Sequence, residues 1–355
     1  MAKTSGTYLF PILDSDPPPR VGIARLAASA RHADDGHLIQ FKSLEVRSIL
    51  NKSVSKRQLS LAYSINPYRG CEFACRYCYA RYTHEFLAPN SEATVSSHEA
   101  FEHEIYLKQN AAWLLEQELR HIDPAQEIAL GTATDPYQPI ERRARITRSL
   151  LEVFSRKSGY RLGIVTKSRL ITRDIDLLQQ IAARNTLVLH ITITTPDAAL
   201  ARILEPRAPR PDLRFEAVRK LRKAGLTTGI LCSPLLPGIT DSEAALTSMA
   251  TRAAEAGASF FSAQPLFLKP CSKPTYLAFV SEHFPGLMQD YEERFRHADF
   301  AAEPYKRELA QIVDRVRRKH GLALRSTDAL LTRDTGSARR PPSNVGTILQ
   351  EKLFG

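Results

Sequence analysis

The sequence predicts an α/β chain folded as a partial (β/α)6 TIM-like barrel, and three observations carry that expectation. Short β-rich runs at residues 61–66, 127–131, 161–166, 187–195, 227–233 and 258–264 each end in polar, Gly or Pro positions. Helical patterns lie between these runs, so the connections are crossovers and the sheet is parallel. The chain of 355 residues with 43% hydrophobic content can bury one large core. Six strands nevertheless fall short of the eight that close a full barrel. An open doubly wound sheet is the competing architecture, and in either one the chemistry belongs at the carboxyl ends of the strands.

The elements follow in order. Residues 1–56 read as an N-terminal extension, Pro-rich from Asp14 to Arg20 and partly disordered, with a strand pair or a short helix over 38–50. A helix is expected over 100–120, where Phe101, Ile105, Ala112, Leu115 and Leu119 share a face. Further helices fit residues 141–158, 172–183, 211–224 and 241–256; Phe215, Val218 and Leu221 stripe the third, and Gly225 closes it. Residues 57–268 form the expected core domain and 269–355 a C-terminal helical elaboration and tail. That last part holds an amphipathic helix over 303–320 with an apolar stripe of Leu309, Ile312, Val313 and Val316. The tail from Thr335, with Arg339-Arg-Pro-Pro342, reads as loosely held.

A net charge of +11 and a pI near 9.5 favour polyanions, nucleic acid first among them, or describe a merely basic enzyme. No apolar run approaches the ~20 residues that span a bilayer, and the N-terminus lacks the pattern of a secretory signal. A cytoplasmic protein with no membrane segment is the expectation. Five cysteines, three of them clustered, suit a reducing compartment rather than a disulfide framework.

The cluster is Cys71, Cys75 and Cys78, spaced C-x3-C-x2-C. Three thiolates on a four-iron cluster leave one iron open to an outside ligand. Zinc with His84 as fourth ligand is an alternative, as are three buried thiols without metal. The flanking Arg69, Arg76 and Arg81 argue against an apolar burial site.

This loop, with the aromatic Tyr77 before its last cysteine, resembles the radical S-adenosylmethionine (SAM) superfamily. The segments Ser64-Ile-Asn-Pro-Tyr-Arg-Gly-Cys71, Cys75-Arg-Tyr-Cys-Tyr79, Gly131-Thr-Ala-Thr-Asp-Pro-Tyr137 and Thr166-Lys-Ser168 resemble its spore photoproduct lyase-related, DNA repair photolyase-like branch. The resemblance implies a [4Fe-4S] cluster on Cys71, Cys75 and Cys78. It also implies SAM as cofactor, a low-potential electron donor of flavodoxin or ferredoxin type, and a 5′-deoxyadenosyl radical that abstracts hydrogen. SAM contacts carry over to Tyr77, Thr134, Asp135 and Lys167, and more weakly to Thr192 and Thr194, with Ser233 behind them. Tyr79 matches a tyrosine proposed to relay the radical. Thr132 stands where spore photoproduct lyase has its hydrogen-returning cysteine, so repair of that lesion by that route is in doubt. Cys232, at the end of the fifth strand, is a candidate substitute thiol. Nucleic acid is the first expected substrate and a peptide or protein the second. A non-catalytic zinc or Fe–S nucleic-acid-binding protein is the rival of another class.

Overall fold

The computed structural model describes residues 21–35, 39–52, 61–87 and 100–324. The Pro-rich start and the tail from Thr335 lie outside them. Strands run β1 (Arg31–Asp35), β2 (Gln40–Leu44), β3 (Leu50–Lys52), β4 (Leu61–Ile65), β5 (Tyr68–Arg69), β6 (Glu104–Lys108), β7 (Glu127–Leu130), β8 (Arg161–Thr166), β9 (Thr186–Thr192), β10 (Thr228–Leu235) and β11 (Phe261–Pro265). Helices are α1 (Gly22–Ala28), α2 (Ala111–Glu118), α3 (Glu141–Ala144), α4 (Ile146–Ser155), α5 (Ile175–Ala182), α6 (Ala198–Leu204), α7 (Pro211–Lys223), α8 (Glu243–Glu255), α9 (Lys273–His283), α10 (Met288–Phe295) and α11 (Glu303–Lys319).

The main sheet has the order β11-β10-β9-β8-β7-β4-β3. Its six strands from β4 to β11 are parallel, and β3 adds an antiparallel edge. The barrel is therefore open, as six strands require. Beyond β11 the chain returns after α11, and Phe260 bridges Ala323 in parallel. Ile128, Leu130, Leu162, Ile164, Leu189, Ile191 and Ile230 are fully buried. Each is worth roughly 1.5–3 kcal/mol of burial, and together they set the phase that turns alternate residues into the barrel.

A second sheet, β1-β2-β6-β5, flanks the barrel. It corrects one expectation. Residues 100–120 are not one helix but β6 followed by α2. The apolar stripe is still buried at Phe101, Ile105, Leu115 and Leu119. What breaks the helix is Asn110, whose side chain bonds both the Val46 N–H (3.2 Å) and the Val46 carbonyl (2.7 Å), while β6 pairs with β2. Of the stretch 38–50, the described residues 39–50 hold strands rather than a helix. The helix expected at 141–158 divides at Arg145, which adopts φ 52°. The one expected at 172–183 begins as a 3-10 segment, Arg169–Asp174. Gly225 takes φ +80° after α7 as a C-cap should.

Candidate active site

β4 delivers the chain, through the short β5, to the cysteine loop. Gly70 sits at φ +85°, and a Cβ there would lie 2.6 Å from the Glu104 carbonyl oxygen and 2.9 Å from that of Phe101. Only glycine lets the loop pass this close to the neighbouring backbone. The Cys71 N–H then bonds the Phe101 carbonyl at 3.0 Å, and the Cys78 N–H bonds the Cys75 carbonyl at 3.2 Å. Cys71 and Cys75 are buried and Cys78 half-buried, contrary to what the flanking arginines suggest. Arg81 itself is buried, paired to Glu102 at 2.5 Å, so its charge does not keep the loop at the surface.

All three cysteines line one cavity of about 190 Å3 at the carboxyl ends of the strands. Tyr77, Tyr79, Thr132, Thr134, Asp135, Lys167, Thr192 and Ser233 line it too. Thr194 and Cys232 do not. β9 ends at Thr192, so the alternation that turned Thr192 inward stops before Thr194. The Thr194 hydroxyl instead donates to Glu205 at 3.0 Å. On β10, Leu231, Ser233 and Pro234 line the cavity, and Cys232, between the first two, turns to the opposite face. There it is 1% exposed among apolar side chains, its Sγ 3.8 Å from the Thr194 carbonyl, and burial pushes its thiol up to about 12. The expectation that Cys232 faces the cavity is thus corrected. Cys271 backs the loop from outside: its Sγ lies 3.7 Å from the Tyr79 carbonyl, and the Ser272 hydroxyl donates to the Cys78 carbonyl at 2.7 Å.

Asp135 accepts from the Thr166 hydroxyl (2.6 Å), the Lys167 N–H (2.7 Å) and the Tyr137 N–H (2.9 Å). The last bond is the Asx turn that an Asp-Pro pair favours. Burial pushes the Asp135 carboxyl above its ordinary value, and these hydrogen bonds pull it part of the way back. Lys167 holds its Nζ 5.6 Å from the centre of the Tyr77 ring. Burial alone would lower Lys167, but Cys75, Glu205 and Asp135 outweigh it and hold the ammonium above its ordinary value. The Tyr77 hydroxyl donates to Glu205 and lies 2.9 Å from the Thr194 hydroxyl. Glu205 in turn pairs with Arg214, and both are 1% exposed.

Sequence reasoning missed four residues. The Glu205–Arg214 pair, on α7 and the loop before it, anchors Tyr77. Gln138, fully buried, accepts from the Glu72 N–H at Oε1 (2.8 Å) and donates from Nε2 to the Thr134 hydroxyl (3.2 Å). Thr134 donates to the Gly70 carbonyl at 2.6 Å, so the Asp135 loop and the cysteine loop are joined directly. His190, 6% exposed on β9, lines the cavity floor with its Nε2 unpartnered. Burial lowers it to about 4, so it is neutral at pH 7. Its ring meets Phe260 at 5.1 Å. Gly229 leaves room for that ring, which would lie 2.4 Å from a Cβ. The polar phase of His190 and Thr192 was the available signal; Gln138 and Glu205 carried none.

Residues 65–249, just over half of the chain, match the model of the radical SAM superfamily. An uncharacterised protein of Mycobacterium tuberculosis is 32% identical over 305 residues, 86% of each chain. The chain belongs to the radical SAM superfamily. An uncharacterised protein of Methanocaldococcus jannaschii is 29% identical over 181 residues, covering 51% of this chain and 63% of that one. Among solved structures, a spore photoproduct lyase mutant with bound SAM and dinucleoside spore photoproduct aligns with a TM-score of 0.57. The identity is 16%, over 79% of each chain, which is a likeness of fold. As a radical SAM member the chain is an enzyme that uses a [4Fe-4S] cluster and SAM.

The residues present fit those groups. Three thiols line one cavity, and among the described residues no three His, Cys, Asp or Glu side chains converge as a single metal ion requires. The buried Ser233 Oγ and His190 Nε2, both without partners, leave hydrogen-bonding capacity for a polar ligand beside them. No helix among the described residues is long and apolar enough to cross a membrane.

Proposed function

We propose that Cys71, Cys75 and Cys78 hold the [4Fe-4S] cluster and that SAM lies between them, Asp135 and Lys167. When bound, the cluster supplies the electron that cleaves SAM to a 5′-deoxyadenosyl radical for hydrogen abstraction from the substrate. The observation carrying this reading is that the three thiols, an acidic group and a lysine share one cavity at the strand ends. Lys167 suits the SAM carboxylate. Asp135, its oxygens already engaged, orients the backbone beside the SAM amino group as much as it meets it. Thr134, whose hydroxyl is engaged by Gly70, acts by holding the loop. Tyr77 is a fixed wall, and Thr192 and Ser233 offer hydroxyls to the nucleoside part. The apolar side chains around them keep water and stray hydrogen donors out.

Among the described residues, no thiol besides the three cysteines lines the cavity. Hydrogen return through a cysteine at the position of Thr132 is therefore not the route, and Tyr79, whose hydroxyl donates to the Thr132 carbonyl, is the nearest phenol to it. Residues 57–268 serve as the catalytic core, in the cytoplasm, with a flavodoxin- or ferredoxin-type donor supplying electrons. The substrate read here is a nucleic acid, supported by the +11 charge and by the aromatic wall of Tyr79, Phe101, Phe260 and Phe267. A peptide is the second reading, favoured by a lining whose carboxylate and ammonium, Asp135 and Lys167, nearly balance.

Anaerobic reconstitution tests the assignment. The wild-type chain is expected to bind iron and sulfide and to form 5′-deoxyadenosine from SAM and reductant. Cys75→Ala is expected to lose at least ~100-fold of that product along with its iron. A Cys75→Ala protein with full iron content and turnover would overturn the ligand set.

A further inference from the structure

We propose that the cavity rim at β7 and β8 docks the phosphate backbone of a nucleic acid through Arg142, Arg145 and Arg169. The inference rests on the nucleic-acid reading above and deepens it. Both loops run outward from cavity-lining residues. The Asp135 loop continues into α3, which carries Arg142, and the Lys167 loop reaches Arg169 two residues on. Arg173 ties the two together, donating to the Glu141 carbonyl at 3.0 Å. All three arginines are exposed, and among the described residues none forms an ion pair.

Most carboxylates of this sector are engaged by other groups. Glu141, fully buried, accepts from the Tyr68 hydroxyl, the Thr147 N–H (2.8 Å) and Arg173 (2.8 Å). Asp174, equally buried, sits between Arg148 (2.6 Å) and Arg173 (2.8 Å), and Asp176 pairs with Arg148 at 3.1 Å. To solvent the turn shows Arg142, Arg145 and Arg169 beside two partly exposed carboxylates, Asp176, paired with Arg148, and Glu216, paired with Lys220 and lowered also by the charge of Arg169. Arg145 sharpens the case, because it holds the left-handed φ of 52° that glycine would adopt without strain. An arginine kept there at a conformational cost points to a use for its guanidinium, whose planar fork matches phosphate oxygens.

The test is fluorescence anisotropy with labelled mixed-sequence DNA and RNA oligonucleotides, single- and double-stranded, from about 50 to 200 mM salt. The wild-type chain is expected to bind with a steep salt dependence. Arg142→Ala/Arg145→Ala/Arg169→Ala should weaken binding at least ~10-fold at low salt and lower the log–log salt slope by about 2–3. The triple lysine variant should keep most of the affinity, and Lys223→Ala/Lys319→Ala all of it. Iron content and thermal midpoint report folding throughout. Arg145→Gly supplies a second readout: a raised midpoint together with weaker binding, which a merely structural arginine would not give. Unchanged binding by the triple alanine variant overturns the docking rim while leaving the nucleic-acid reading standing. An equal loss in the Lys223/Lys319 variant overturns it as well, in favour of diffuse charge. A wild-type chain that binds no oligonucleotide at low salt overturns both.

Discussion

The two ends of the barrel are both basic, for different reasons. At the amino ends of the strands the helices finish, and their last turns carry Lys220, Arg222 and Lys223 on α7 and Arg317, Arg318 and Lys319 on α11. Such cations complement the helix C-termini. Several are also paired locally: Lys220 with Glu216 at 2.7 Å, Arg318 with Asp314 at 2.8 Å, and Lys157, just after α4, with Glu116. At the carboxyl ends, Arg142, Arg145 and Arg169 form no ion pair among the described residues, though Glu216 feels the charge of Arg169, and Lys167 and Asp135 face a cavity. If the proposed rim holds, the net charge is two signals added together, one about helix ends and one about ligands.

The largest effect that would test this contrast belongs to Gly70→Ala. Its new Cβ would strike two backbone carbonyls, so the change should cost about 2–4 kcal/mol and lower iron incorporation, read by thermal unfolding and iron assay. A fully loaded, stable variant would show that the cysteine loop does not depend on that close passage. Next comes Asp135→Ala, which strands the buried Thr166 hydroxyl and the Lys167 and Tyr137 N–H groups. Each unsatisfied donor costs roughly 1–3 kcal/mol. SAM affinity, measured by equilibrium dialysis, should fall at least ~10-fold, and unchanged binding would remove Asp135 from the site.

His190 predicts a pH effect of intermediate size. Its folded-state value of about 4 lies below the ordinary 6.5, so the unfolded chain takes up a proton that the folded one refuses. Stability contributed by the neutral ring is complete above about pH 6.5 and is lost as pH falls towards 4. At pH 5 the loss is ~2 kcal/mol. His190→Leu should show a smaller drop in unfolding free energy between pH 7 and 5 than the wild type; an equal drop would mean the ring is not held neutral. The smallest effect is expected at the other end of the barrel. Lys223→Ala/Lys319→Ala should cost only about 0.3–1 kcal/mol per site and leave 5′-deoxyadenosine formation as it was.

Much of the fold could be read from the chain because each parallel strand announces itself as a short β-rich run with a polar or Gly/Pro end. The helix expected over 100–120 failed because β6 and α2 share an apolar stripe, and only pairing with β2, which lies far back in the chain, decides between them. That the cysteines, Asp135 and Lys167 share one cavity was legible because they sit in short local motifs. Thr194 and Cys232 were not, since which face a residue takes depends on strand phase and on where the strand stops. Gln138 and the Glu205–Arg214 pair are long-range hydrogen-bond partners, and no local pattern marks them.

One of those partners bears on how the enzyme is loaded. Gln138 touches Thr134 and the Glu72 N–H at once, so this buried amide, with the Thr134–Gly70 and Ile140–Glu72 bonds beside it, fastens the wall that carries the cysteines to the wall that carries Asp135. Such a site is preorganised. On the proposed placement, cluster and cosubstrate arrive at walls already set at their working separation, so little of their binding energy goes into rearranging the protein.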